Sequence, residues 1–398
     1  MVARACARLG ACMNTWLWCV ALGYPMVGAL QVGLVWHNLK HFRRCADLAA
    51  WPKADDHVSV LVPARDEGAR ISECVAGVLK QSWPNLSLHV LDDQSGDDTQ
   101  ARAIAQAGAD ARFHLMVNQE PPPANWNGKS WACQLLAQAS HGDWLCFVDA
   151  DTRLNSCAIE RAMAVATEQG ADLLSFWPRQ TMVTPGERLM MPLLAFVLLA
   201  HLPLRLVTDS SDPRFSAANG QFLLIRRDTY QAIGGHAAIH ADLVDDLALA
   251  RLVKSRGGRV VIHDAGDAVT CRMYTDWRAL WAGFRKNLFP AFGGQPGPFV
   301  TGVAILGIWH GLPLALVIVG VWGQWALPIV AGVLQMSCGM VIRGMLAARL
   351  EQPWGVIALH PVAVLCLIAL ALDSWRGWAL GGVEWKGRRY RRGRYQGC

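Results

Sequence analysis

From Phe299 to Ile342 the chain contains no charged residue. That stretch is long enough for two helices, broken near Gly323, that each cross a hydrocarbon core of about 30 Å. Leu9–Trp36 is also free of charge and long enough to cross, and it exceeds the apolar region of a cleaved signal peptide. Gln352–Leu372 offers a third C-terminal span. The 53% hydrophobic content of these 398 residues is therefore concentrated at the two ends. This pattern describes a membrane protein with a soluble insert.

His37, Lys40, His41, Arg43 and Arg44 follow the first span, and positive charge beside a span marks the cytoplasmic side, although Arg4 and Arg8 precede it. The insert is expected in the cytoplasm, beneath a cell (inner) membrane crossed more than once. Three spans after it would carry the tail outside, against the same rule, so either one segment is re-entrant or the tail breaks the rule. That tail holds Lys386, Arg388, Arg389, Arg391, Arg392 and Arg394, much of the formal charge of +6, and beside apolar segments it suggests anionic headgroups rather than nucleic acid. Twelve cysteines lie scattered with no Cys-x-x-Cys pair, which argues against structural zinc and a disulfide framework.

Between His57 and about Asp276 the pattern is α/β. Val58–Val62 and Leu86–Leu91 read as buried strands, and Ile71–Gln81 and Thr99–Ala107 as helices. Strands alternating with helices imply a mostly parallel sheet flanked by helices. Leu189–Val207 is apolar but carries Pro192, His201, Pro203 and Arg205, and reads as an interfacial helix rather than a span. The expected division is 1–56 for the N-terminal span and its basic segment, 57–289 for the α/β domain, and 290–398 for the C-terminal spans and tail.

A third strand, Trp144–Val148, runs into Asp149-Ala150-Asp151. In an extended segment residues two apart share a face, so both carboxylates would point beyond the strand's carboxyl end, where open α/β sheets bind ligands. Without a cation between them they would repel, which suits a divalent metal holding a diphosphate. Acidic groups follow the first two strands as well, at Asp66 and Glu67 and at Asp92 and Asp93. Each cluster alone is more often a helix cap or turn; three in register along one sheet edge are hard to explain as caps alone. Gly128-Lys129-Ser130 lacks the earlier glycine of a phosphate loop, since Pro123 stands there, so Lys129 is either a surface lysine or a point charge for a diphosphate. Asp245 and Asp246 open a helix, where they complement its dipole or supply a general base.

Val62-Pro63-Ala64-Arg65-Asp66-Glu67, Asp92-Asp93-Gln94-Ser95, Gly128-Lys129, Asp149-Ala150-Asp151, Asn219-Gly220-Gln221 before Arg226-Arg227, and Asp245-Asp246-Leu247-Ala248 occur in this order. The ordered set resembles family 2 glycosyltransferases of the GT-A fold over His57 to Asn287. It looks closest to membrane-bound members that glycosylate carotenoids, hopanoid-type lipids or ceramides. Arg272-Met273-Tyr274, Trp281–Asn287 and Trp385-Lys386-Gly387-Arg388 look most like the carotenoid branch. The resemblance implies that Pro63, Ala64, Arg65, Glu67 and Asp93 hold uridine. By the same likeness Lys129 and Asp149 contact the nucleotide, Asp151 with Asp149 coordinates Mg²⁺ or Mn²⁺, and Asp246 is the base. Asp245 stands where relatives usually have Glu. No Gln-x-x-Arg-Trp motif occurs, which fits transfer of a single sugar and leaves Arg272, Arg285 and Lys286, with Asn219, Gly220 and Gln221, on the diphosphate or acceptor side. The resemblance implies inverting transfer of a single sugar, glucose, from a UDP-sugar to a hydroxyl of a membrane lipid, a carotenoid first and a hopanoid or ceramide-like lipid otherwise. A polyprenyl phosphate acceptor and a non-catalytic membrane adaptor are the alternatives.

Overall fold

The computed structural model describes residues 23–45, 55–391 and 394–396. The predicted first span lies partly outside these; its described part is a helix over residues 23–41. The described residues form two compact units, one drawn from the ranges 1–40, 188–202 and 295–372 and the other from 41–187, 203–294 and 373–398. The tail thus belongs to the α/β unit rather than to the C-terminal helices that precede it.

In the α/β unit eight strands form one sheet: β1 (Val58–Ala64), β2 (Leu86–Asp93), β3 (Phe113–Asn118), β4 (Trp144–Val148), β5 (Thr152–Leu154), β6 (Leu173–Gln180), β7 (Phe222–Arg226) and β8 (Val260–Cys271). Their order is β3-β2-β1-β4-β7-β6-β8-β5. The first four run parallel, whereas β7 is antiparallel to both β4 and β6. Every residue of β2 and nearly all of β1 are buried, as expected of strands covered by helices on both faces. Val60, Val62, Leu88, Val90, Cys146 and Val148 share a core with Phe176 and Phe222 from the antiparallel half. Register matters for function. Ala64 lies opposite Asp92, and Leu61 opposite Phe147, so the polar segments after β1, β2 and β4 emerge along one edge.

The other unit is helical. Pro296–Gly323, Ala326–Leu350 and Trp354–Ala379 are long and apolar enough to cross a membrane, the last extending into the α/β unit's share of the chain. The break after Gly323 falls where the sequence places it. Leu189–Val207, by contrast, is not one helix. Pro192–His201 ends before Pro203, which lacks the N–H a continuing helix needs, and a short turn follows at Arg205–Asp209. Leu193, Phe196 and Leu199 of the longer piece are buried.

The Gly142 loop is hydrogen-bonded to the start of β1, at the sheet end opposite the site. Gly142 donates to Ser59 Oγ at 2.9 Å, and a Cβ there would lie 2.6 Å from the Ser59 nitrogen and 2.7 Å from the His57 oxygen. Gly142→Ala is therefore expected to destabilise the unit by about 1–3 kcal/mol, because backbone cannot yield to the added methyl as a side chain could. A lowered thermal-melting midpoint of the purified protein would measure it.

Candidate active site

Beyond β4 the chain does not stay extended. Residues 149–151 form the turn into β5, with the Thr152 N–H donating to the Asp149 carbonyl at 3.0 Å. The expectation that two acids share a strand face is therefore corrected: a turn brings them close, and its geometry depends on β7, since the Asp149 N–H donates to the Gln221 carbonyl.

Lys129 joins the pieces. Asn127 caps the Gly128–Ala139 helix by accepting from the Lys129 N–H, and so sets where this side chain starts. Its Nζ lies 2.7 Å from Asp149 Oδ1 and 3.5 Å from Asp245 Oδ2. The Gly220 N–H donates to Asp246 Oδ2 at 2.8 Å, and the Leu247 N–H to Asp246 Oδ1 at 2.7 Å. A Cβ on Gly220 would stand 3.2 Å from Lys129 Nζ and 3.4 Å from Asp246 Oδ2, so a glycine permits the close approach of Asp246 and Lys129. Glu67 reaches the same region through Arg70, which lies 3.4 Å from Glu67 and 3.9 Å from Asp151.

These contacts set the charge states. Desolvation, then the charges of Asp149 and Glu67, push Asp151 up to about 7, with Arg70 opposing. Its Oδ1 is buried without a hydrogen-bond partner among the described residues. An orphaned carboxylate oxygen facing other acids fits a divalent cation. Desolvation and Asp245 raise Asp246 to about 6. Burial also pushes on Asp245, but Lys129, His236 and Lys286 outweigh it and hold that carboxyl below its usual range. The neighbouring acids therefore have different protonation tendencies, the usual sign of divided acid–base roles. Cys133, His236 and Asp245 also bring one ligand-type atom each within 4.8 Å of one another. Lys129 already serves Asp245 there, and Tyr230 Oη bonds His236 Nδ1 at 2.8 Å.

Not every expected residue faces this centre. Arg272 pairs with buried Glu187 at 3.1 Å, and Arg285 with Asp373 at 3.3 Å. Lys286 differs. Burial and then Lys129 lower it to about 8, while Asp245 and Asp149 oppose the shift, so it shares the field of the acidic cluster. Gln221 is buried with its amide donating to Cys271 Sγ and accepting from Gln180, and Asn219 Oδ1 accepts from the Gln221 N–H; both shape the turn that carries Gly220. Ala64 is buried at the end of β1, beside the half-exposed Pro63. Arg65 donates to the Asp93 carbonyl at 2.9 Å and ties the ends of β1 and β2 together.

Sequence reasoning missed Arg70, Lys386 and Arg388. Arg70 follows the first motif by only three residues, but helical approach to Asp151 is invisible in spacing. Composition groups Lys386 and Arg388 with a basic tail facing headgroups, whereas they pair with Glu67 and Asp93, each at 2.6 Å.

Residues 59–234 match the family model described as Glycosyl transferase family 2. The chain carries a family 2 glycosyltransferase domain. Two 4,4'-diaponeurosporenoate glycosyltransferases of Staphylococcus aureus are 24% and 25% identical to it over 386 residues, covering 91% of this chain and 95% of theirs. The mannosyltransferase of Pyrobaculum calidifontis, solved with GDP-Man and Mn²⁺, superposes with a TM-score of 0.54 at 16% identity over 89% of this chain and 99% of its own. That likeness is one of fold, and it extends beyond the catalytic domain into the helical unit.

The raised Asp151 gives a stability prediction for the glycosyltransferase. A carboxyl whose folded pKa exceeds its unfolded value stabilises the fold fully below about pH 4, and that contribution is lost as pH climbs to about 7. In metal-free protein Asp151→Asn should raise stability at pH 8 by about 2 kcal/mol and by less at pH 5. Mn²⁺ should raise the parent's melting temperature at pH 8 and leave the Asn variant's unchanged; calorimetry at both pH values checks this.

Proposed function

We propose that this glycosyltransferase moves one sugar, glucose in the simplest case, from a UDP-sugar to a hydroxyl of a membrane lipid of carotenoid type, with inversion at the anomeric carbon. The observation carrying the proposal is the meeting of Lys129–Asp149, Gly220–Asp246 and the orphaned Asp151 oxygen at one sheet edge. Pro63, Ala64, Glu67 and Asp93 are the nucleoside side of this site. Asp151 and Asp149 would hold Mg²⁺ or Mn²⁺, which neutralises the diphosphate leaving group when bound. Lys129, and Lys286 within its field, supply fixed positive charge toward the same group. The carotenoid acceptor is supported by the named activity of the Staphylococcus aureus proteins.

Asp246 takes the acceptor proton. Its two backbone donors fix its direction, and a base titrating at about 6 is ionised at neutral pH while still basic enough to matter. The acceptor oxygen then attacks the anomeric carbon opposite the departing UDP in one displacement, with no enzyme nucleophile. Positioning and charge neutralisation provide most of the acceleration. The long apolar helices support a multi-pass membrane protein, and the basic run His37–Arg44 supports a cytoplasmic catalytic unit.

A second reading follows from the -oate ending in the relative's printed acceptor. A carboxylate acceptor is already ionised and needs no base. Asp246→Asn separates the two: with a hydroxyl acceptor, transfer should fall by about 10²–10⁴-fold while UDP binding persists. Its rate in the parent should fall about tenfold per pH unit below about pH 6, because protonated Asp246 cannot accept. Membranes given labelled UDP-glucose, followed by lipid extraction and identification of the product, test the reaction itself; no labelled lipid from any UDP-sugar would refute it.

A further inference from the structure

The C-terminal segment folds back as a small sheet of its own, β9 (Val383–Trp385), β10 (Arg388–Arg391) and β11 (Arg394–Gln396), with no strand pairing to the large sheet. The β9–β10 turn consists of Lys386 and Gly387, both at positive φ, +46° and +70°. Such turns normally take Asn, Asp or Gly, because a Cβ is strained there. The lysine in this place is held from outside the hairpin. Its Nζ donates to Glu67 Oε1 at 2.6 Å and to the Arg65 carbonyl at 2.7 Å, while Arg65 Nε donates back to the Lys386 carbonyl at 3.2 Å. Two residues on, Arg388 Nη1 donates to Asp93 Oδ2 at 2.6 Å and Nη2 to Gln94 Oε1 at 3.2 Å. A Cβ on Gly128 would run into that guanidinium, so the glycine beside Lys129 also makes room for the tail.

These contacts share one property. Both cations fall on the two acids assigned above to the nucleoside, whose side chains are only 13% and 5% exposed; the other oxygen of each is met by Arg70 and Asn118. No base or ribose can reach a carboxylate so covered. The hairpin is reached through Gly381 and Gly382, at φ +125° and +101°, a pair of positions that only glycine adopts freely.

We infer that Lys386 and Arg388 are residues of the donor site, acting as internal counter-ions of Glu67 and Asp93 until a nucleoside diphosphate takes their place; this rests on the donor reading given above. Seating of the hairpin and binding of the nucleoside are mutually exclusive. The device has a physical reason. An empty site with several acids at one strand edge is costly to maintain, and two cations of the same chain neutralise it between turnovers at the expense of donor affinity. Opening turns about the glycine pair.

The test uses the full-length protein in lipid nanodiscs with UDP and Mn²⁺ as the probe. Hydrogen exchange of residues 383–391 is expected to speed up at least tenfold when UDP is added, while β1 and β2 become slower to exchange. Arg388→Gln is expected to tighten UDP binding about tenfold in titration calorimetry, and Lys386→Gln to tighten it by a smaller factor, since its side chain is the more exposed of the two. Slower exchange in the hairpin on adding UDP, or weaker or unchanged UDP binding by Arg388→Gln, would overturn the inference. If Arg388→Gln proves unstable by thermal melting, exchange in the parent decides alone. Absence of any UDP binding by the parent would refute the donor reading; binding with an undisturbed hairpin would refute only the present one.

Discussion

The site exists because positive charge is delivered to a place where the backbone has collected carboxylates. Asp149 and Asp245 come from a strand-end turn and a helix start nearly a hundred residues apart in sequence, and Lys129 lies between them at 2.7 and 3.5 Å. Without it the two acids would face each other across a partly desolvated space, where like charges repel strongly. With it, Asp245 stays ionised and Asp246, one residue on, is left as the group whose affinity for a proton rises. Asp151 has no such lysine. Arg70, 3.9 Å from it, is shared with Glu67, and one of its carboxylate oxygens has no hydrogen-bond partner among the described residues.

The sheet makes this arrangement possible by mixing strand directions. Parallel β1, β2 and β4 bring three polar segments out at one edge. Antiparallel β7 then starts where β4 stops, so the Asn219–Gln221 turn leading into it arrives at the same edge and offers the Gly220 N–H to Asp246. A uniformly parallel sheet would place that turn at the opposite end. The buried amide of Gln221 and the small Gly220 meet structural needs of this junction: the amide bonds Cys271 and Gln180, and the Gly220 N–H bonds Asp246.

The helical unit answers a different constraint. Its long apolar helices satisfy their own backbone hydrogen bonds, as a lipid environment demands, and expose large residues such as Val321, Trp322 and Leu334 on their outer faces. The shorter Pro192–His201 helix joins this unit although the sequence around it belongs to the α/β unit. Its buried residues, Leu193, Phe196 and Leu199 among them, give an apolar ten-residue helix a face to pack that water would not provide.

Much of this was legible in the chain itself. Alternation of buried strands and amphipathic helices specified α/β architecture, because periodicity follows directly from backbone geometry. Charge-free runs specified the membrane-length helices, since the cost of burying charge in lipid is a local property of the sequence. The order of acidic motifs specified which residues could meet. What only the tertiary structure decided was how they meet: that Asp149 and Asp151 approach through a turn, that Arg272 and Arg285 are committed to Glu187 and Asp373, and that Lys386 and Arg388 fold back onto Glu67 and Asp93. Ion pairing between residues some three hundred positions apart leaves no mark on local spacing, because the distance between two side chains is set by the packing of everything between them.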